Sequence, residues 1–142
     1  MRVFTIGFTK TTAERFFGRL RNAGVQKIAD VRLNNVSQLS GFAKKDDLRF
    51  FAKEICGIEY EHLPELAPTQ DILKAYRNDG DWVKYEKAFW QLMKQRSIES
   101  ISDERIDGAC LLCSENKPHY CHRRLVVEYL KEHKENLQIT HL

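Results

Sequence analysis

The chain has 142 residues, 42% of them hydrophobic and 30% charged, with 23 basic against 20 acidic side chains and a net charge of +3. Length and composition suit one ordinary globular domain over residues 1–142. They exclude a membrane-spanning chain, since no apolar run approaches the ~20 residues that cross a bilayer; the balanced charge does not by itself argue for nucleic acid, because a dedicated binder usually shows a clustered basic face. The start, Met1 to Gly7, is too short and too quickly polar for a signal peptide. A cytoplasmic protein is therefore expected, with Cys56, Cys110, Cys113 and Cys121 as reduced thiols, not a disulfide framework.

Residues 2–7 (Arg-Val-Phe-Thr-Ile-Gly) are β-branched and aromatic and predict a buried strand. Thr11-x-x-Glu14 reads as a capping box, and Ala13, Phe16, Phe17 and Leu20 form a helical stripe. Gly24 marks the stop of that helix. Residues 26–32 predict a second strand, parallel to the first. Residues 33–43 read as a long, function-bearing loop. Lys44 to Ile55 predicts a helix, 58–62 a third strand, and 63–70, with Pro64 and Pro68, an irregular segment.

Trp82, Tyr85, Phe89, Leu92 and Met93 mark another amphipathic helix, and such an aromatic stripe belongs to a core far more often than to a cofactor site. Residues 97–107 are polar and carry no clear period. Ala109 to Cys113 predicts a central strand. A helix with Leu125, Val126, Tyr129 and Leu130 on one face follows Pro118, and 137–141 predicts a last strand. The alternation predicts an α/β fold: a three-layer, mostly parallel open sheet of about five strands with helices on both faces. Ligands bind such sheets beyond the carboxyl ends of the strands. That rule nominates Gly7 to Thr9, Asp30 to Arg32, His62 to Glu65, and Cys113 onward.

The densest chemistry lies in Cys113 to Arg124, Cys-Ser-Glu-Asn-Lys-Pro-His-Tyr-Cys-His-Arg-Arg. A helix starting near His119 or Tyr120 puts Cys121 and His122 in its first turn. The helix dipole there, with Arg123 and Arg124, favours an anion and lowers a thiol pKa. The plainer reading makes Cys121 a small buried residue and His122 the start of the packed face.

A Cys110-x-x-Cys113 zinc knuckle joined by Cys121 and His122 is disfavoured, because residues three apart on a strand point to opposite faces. A looser metal site drawing on Cys113, Cys121 or His122 with Glu115 stays open. A Cys-x5-Arg phosphate cradle would need arginine at 119 or 127, where the chain has His119 and Val127. No G-x-x-x-x-G-K-[ST] loop occurs. Asp30 and Arg32 share one face of their strand and are either a structural pair or an acid and a cation offered to a ligand. His62 and Glu65 follow a strand end and are either surface residues or a base and an acid. His119 and His133 read as ordinary surface, and His141 ends the last strand near the same edge.

Thr5-Ile6-Gly7, Asp30-Val31-Arg32, Gly57-Ile58-x-Tyr60-x-His62-x-Pro64-Glu65-Leu66 and Leu111-Leu112-Cys113-x-Glu115-x-x-Pro118-x-x-Cys121-His122-Arg123 together resemble the domain of unknown function 488 family. The last string is the specific one. The resemblance runs from Arg2 to His141. It keeps a hydroxyl at Thr9, where the family has serine, and departs from it at Asn34, where the family often has proline. It implies a cytosolic α/β domain whose motif segments gather in one pocket, and it implies no reaction.

Three functions follow. The first is an enzyme acting on a small anionic or nucleotide-like substrate. Cys121, His122, Glu115, Cys113 and Asp30 would be its catalytic residues, and Arg32, Arg123, Arg124, His62, Glu65 and Thr9 its binding residues. The second is a metal-binding protein using Cys113, Glu115, Cys121 and His122, with zinc or iron; the sequence requires no cofactor. The third is a nucleic-acid-associated module using Arg15, Arg19, Arg21, Lys27, Lys44, Lys45 and Arg49; the set at 15, 19 and 22 on the first helix reads more simply as a solvated face. No membrane partner is expected, and oligomeric state is not legible.

Overall fold

The computed structural model describes residues 1–36, 41–115 and 117–142. Five strands, β1 (Arg2–Gly7), β2 (Lys27–Asp30), β3 (Glu59–His62), β4 (Ala109–Cys113) and β5 (Gln138–His141), form one sheet in the order β3-β2-β4-β1-β5. Every pairing is parallel, with Phe4 opposite Cys110 and Ile28 opposite Cys110 on the other side. The fold is the three-layer α/β sheet that the alternation predicts.

Side-chain alternation along the strands divides the core in two. Phe4, Ile6, Ile28, Cys110 and Leu112 face α1 (Ala13–Ala23) and α2 (Lys45–Phe51). Val3, Ala29, Val31 and Leu111 face α4 (Trp82–Arg96) and α6 (His122–His133). Partly buried residues of α3 (Gln70–Asp79) pack on the second face, as does Ile106 of the short α5 (Asp103–Ile106). β1 and β2 lead into helices on the first face and β4 into a helix on the second. The chain therefore diverges at the borders of β4, and the strand ends there open into a crevice.

Several local expectations are corrected. The cap of α1 is Thr12, whose hydroxyl accepts from Arg15 N at 3.2 Å, one residue beyond the capping box read at Thr11. The helix after Lys44 closes in a single π turn, Ala52–Cys56. The last helix starts at His122, not near His119, with Cys121 as its N-cap. Helix α3, capped by Thr69, was not predicted, because none of its side chains is fully buried and its apolar stripe is short. Of the expected loop 33–43, residues 37–40 lie outside the described residues, and Gly41–Ala43 is a turn of 3-10 helix. Among the described residues, no helix is long and apolar enough to cross a membrane.

Candidate functional site

The carboxyl edge of the sheet is built around a close approach at Gly7. A side chain there would run into the backbone carbonyl of Glu115, so glycine lets the loop after β4 cross the end of β1. Thr9 fastens the same loop: its amide and hydroxyl both donate to the Ser114 carbonyl, at 3.2 and 2.9 Å. The loop then folds back and brings the N-cap of α6 against the end of β4.

That fold-back gathers three buried side chains. Cys113 ends β4, Cys121 caps α6 and His122 opens it, with exposures of 5%, 3% and 7%. Their candidate donor atoms all lie within 4.8 Å of one another. The sulfurs of Cys113 and Cys121 are in contact as a bonded pair, with the Cα atoms 7.3 Å apart. This corrects the expectation of four reduced thiols; only Cys56 and Cys110 are free. Cys110 faces the opposite side of the sheet, as the strand alternation required, and burial raises its thiol pKa.

The His122 imidazole is held on two sides. Its Nε2 lies 2.6 Å from the Val31 carbonyl, which can only accept, so Nε2 carries the proton. Nδ1 lies 3.7 Å from Cys113 Sγ. Phe89 packs edge-on against the ring, with centroids 5.8 Å apart. Burial pushes the imidazole pKa down to about 4, which leaves the ring neutral and Nδ1 with a free lone pair at neutral pH.

Asp30 and Arg32 form a buried ion pair. Arg32 Nε and Nη2 donate to the two carboxylate oxygens at 2.8 and 2.7 Å, and Nη2 also donates to the Ala43 carbonyl at 2.8 Å. Tyr60 adds its hydroxyl to Asp30 Oδ2 at 2.5 Å. Burial, then the bond to Asp30, raises the Tyr60 pKa. The guanidinium lies over the Phe8 ring, 5.1 Å from its centroid. Arg32 Nη1 is buried and has no hydrogen-bond partner among the described residues. His62 Nε2 donates to the Arg32 carbonyl at 2.7 Å. Two histidines thus fix successive carbonyls where the chain leaves β2.

A cleft of about 490 Å³ opens beside these groups. Of the residues nominated from sequence, Arg32, Cys113, Glu115, Cys121 and His122 line it. Asp30 lies behind Arg32. Arg123 is buried outside the cleft and donates from Nη1 to the Glu115 carbonyl at 2.5 Å, and burial lowers its pKa to about 10. Arg124 pairs with Glu128 at 3.0 Å and faces Trp82. Glu65 pairs with Arg105 at 3.3 Å, away from the cleft. His141 shares a hydrogen bond with Thr5 at 2.6 Å, on the far side of β1.

The opposite wall is built from residues that the sequence assigns to a core or does not single out. Tyr76 and Arg77 of α3, Trp82 and Tyr85 of α4, and Tyr120 line it. Trp82 stacks on Tyr85 at 4.8 Å and meets Tyr120 edge-on at 5.5 Å. Helical periodicity marks Trp82 and Tyr85 as inward-facing, but it cannot tell a core from a cleft wall.

The fold and this edge define a parallel three-layer α/β protein with a Cys-Cys-His cluster in an open cleft. The model of the family described as "Domain of unknown function DUF488" matches residues 12–130, and the chain belongs to that family. No curated protein and no solved structure matches it.

Proposed function

We propose that the cleft is the active site of an enzyme acting on a small anionic substrate that carries a planar ring, as a nucleotide does. One observation carries this reading: the buried Cys113, Cys121 and His122 line the same cleft as Arg32, whose Nη1 has no hydrogen-bond partner among the described residues. An orphaned buried donor costs roughly 1–3 kcal/mol, and an anionic oxygen would offset that cost. The positive end of α6, capped by Cys121, favours the same charge. Arg77 supplies a second cation on the opposite wall, and Tyr120 and Trp82 offer aromatic faces for a ring. Cys113, Cys121 and His122 are the reaction centre, three electron-pair donors beside the bound anion. Glu115, exposed at the mouth, is the group placed to exchange protons with solvent.

The test is calorimetric titration of reduced, metal-free protein with adenosine monophosphate and with inorganic phosphate. Stacking contributes roughly 1–3 kcal/mol per base, so the nucleotide should bind roughly five- to a hundredfold more tightly than phosphate. Arg77→Ala should weaken both. No binding of either ligand at millimolar concentration overturns the reading.

A further inference from the structure

We propose that Cys113, Cys121 and His122, once the two thiols are reduced, hold a zinc ion whose fourth position opens to the cleft. The inference deepens the active-site reading, on which its catalytic sense rests, by naming the chemistry of the reaction centre.

Four observations carry it. The three donor atoms already lie within 4.8 Å of one another. The Cα atoms of Cys113 and Cys121 are 7.3 Å apart, wider than the ~4.4–6.8 Å of ordinary disulfides. An ion ~2.3 Å from each sulfur bridges backbones set further apart. His122 donates from Nε2 to the Val31 carbonyl and turns Nδ1 toward Cys113. A second ring nitrogen tied to a backbone carbonyl is the usual support of a metal-bound imidazole. Finally, the three residues come from the end of β4 and the start of α6, so the surrounding elements fix their spacing.

Charge points the same way. Two isolated thiolates at 3–5% exposure would be costly to bury, whereas two thiolates and one divalent cation sum to zero. Thiolate and imidazole donors select zinc over the hard cations, which take oxygen. Cys110 cannot supply a fourth sulfur, since it lies in the core on the other face of the sheet. A site with three protein donors and an open position is of the catalytic type, not the closed structural type.

The balance is simple. The bonded pair accepts two electrons and two protons from an added thiol reductant and becomes two thiols. Binding then forms two sulfur–zinc bonds and one nitrogen–zinc bond and releases the two thiol protons to solvent. The zinc keeps its oxidation state.

The experiment adds cobalt(II), then zinc, to protein freed of metal by a chelator and reduced. One cobalt per chain is expected, with the near-ultraviolet band of thiolate-to-cobalt charge transfer and the release of two protons, and zinc should then displace the cobalt and abolish the band with no further proton release. Cys113→Ser and Cys121→Ser should lose the band, and His122→Gln should weaken binding, each variant being checked for its fold by circular dichroism. Cys56→Ser should match the parent. The oxidised protein should bind neither ion. Absence of stoichiometric metal in the reduced parent, an unchanged spectrum in Cys121→Ser, or metal binding by the oxidised protein overturns the proposal. The nucleotide titration uses metal-free protein, so the cleft reading and the zinc site fail separately.

Discussion

His122 is tied to the carbonyl of Val31, 2.6 Å away on the neighbouring segment, and so the first residue of α6 is fixed to the end of β2. Leu112 accepts from the Val31 amide at 3.1 Å. Residue 31 therefore connects β4, β2 and α6 at one point, beside the cleft. The local architecture of the site rests on this junction and on the Gly7 crossing, and both are open to test.

Gly7→Ala should destabilise the protein and disturb the Ser114–Glu115 loop. The added methyl meets backbone, which cannot swing aside, and forced packing of this kind costs roughly 1–3 kcal/mol. Gly18, in the middle of α1, has open space around it. Gly18→Ala should therefore stabilise, by roughly 0.5–1 kcal/mol. Urea unfolding of the two variants should shift in opposite directions.

Asp30→Asn should cost roughly 3–5 kcal/mol, because it leaves the buried Arg32 guanidinium without its counter-charge. Tyr60→Phe removes one hydrogen bond to the same carboxylate and should cost about 1 kcal/mol. Equilibrium unfolding of both variants gives the comparison; equal losses would deny the ion pair its dominant role.

Cysteine labelling should separate the two free thiols. Cys110 is fully buried with its pKa raised by burial, so iodoacetamide should modify it only on unfolding. Cys56 is partly exposed but donates to the Phe17 carbonyl at 3.5 Å, and burial raises its pKa too. It should label slowly in the native state, at a rate that rises with pH. Mass spectrometry of timed digests reads both.

Tyr120 is 66% exposed and contributes little to the core. Tyr120→Ala should change stability by less than about 0.5 kcal/mol. It should weaken adenosine monophosphate roughly fivefold or more if the ring stacks there. Parallel melting and titration curves distinguish that result from a general loss of fold.

The amino-acid order by itself determined the parallel sheet and the edge at which to look. Strand β1 and strand β4 run over the residues read from their β-branched and apolar runs, because a buried strand must be apolar on both faces. Alternation along β4 also separated Cys110 from Cys113, since neighbouring positions face opposite layers. The specific motif ending in Cys121-His122-Arg123 marked the family and the loop.

Tertiary structure alone decided the rest. Asp30 and Glu65 are equally plausible acids in one dimension, yet the first is buried against Arg32 and the second faces Arg105 on the surface. Cys113 and Cys121 meet because the intervening loop crosses Gly7, a contact with no periodic signature. Helix α3 lacks a fully buried side chain to mark it, Tyr120 is exposed, and Trp82 reads as a core residue because inward-facing aromatics look alike whether they meet a core or a cleft. Local sequence records which way a side chain points along its own element. What it then meets depends on how distant elements pack, and that spatial fact determines which nominated residues share a site.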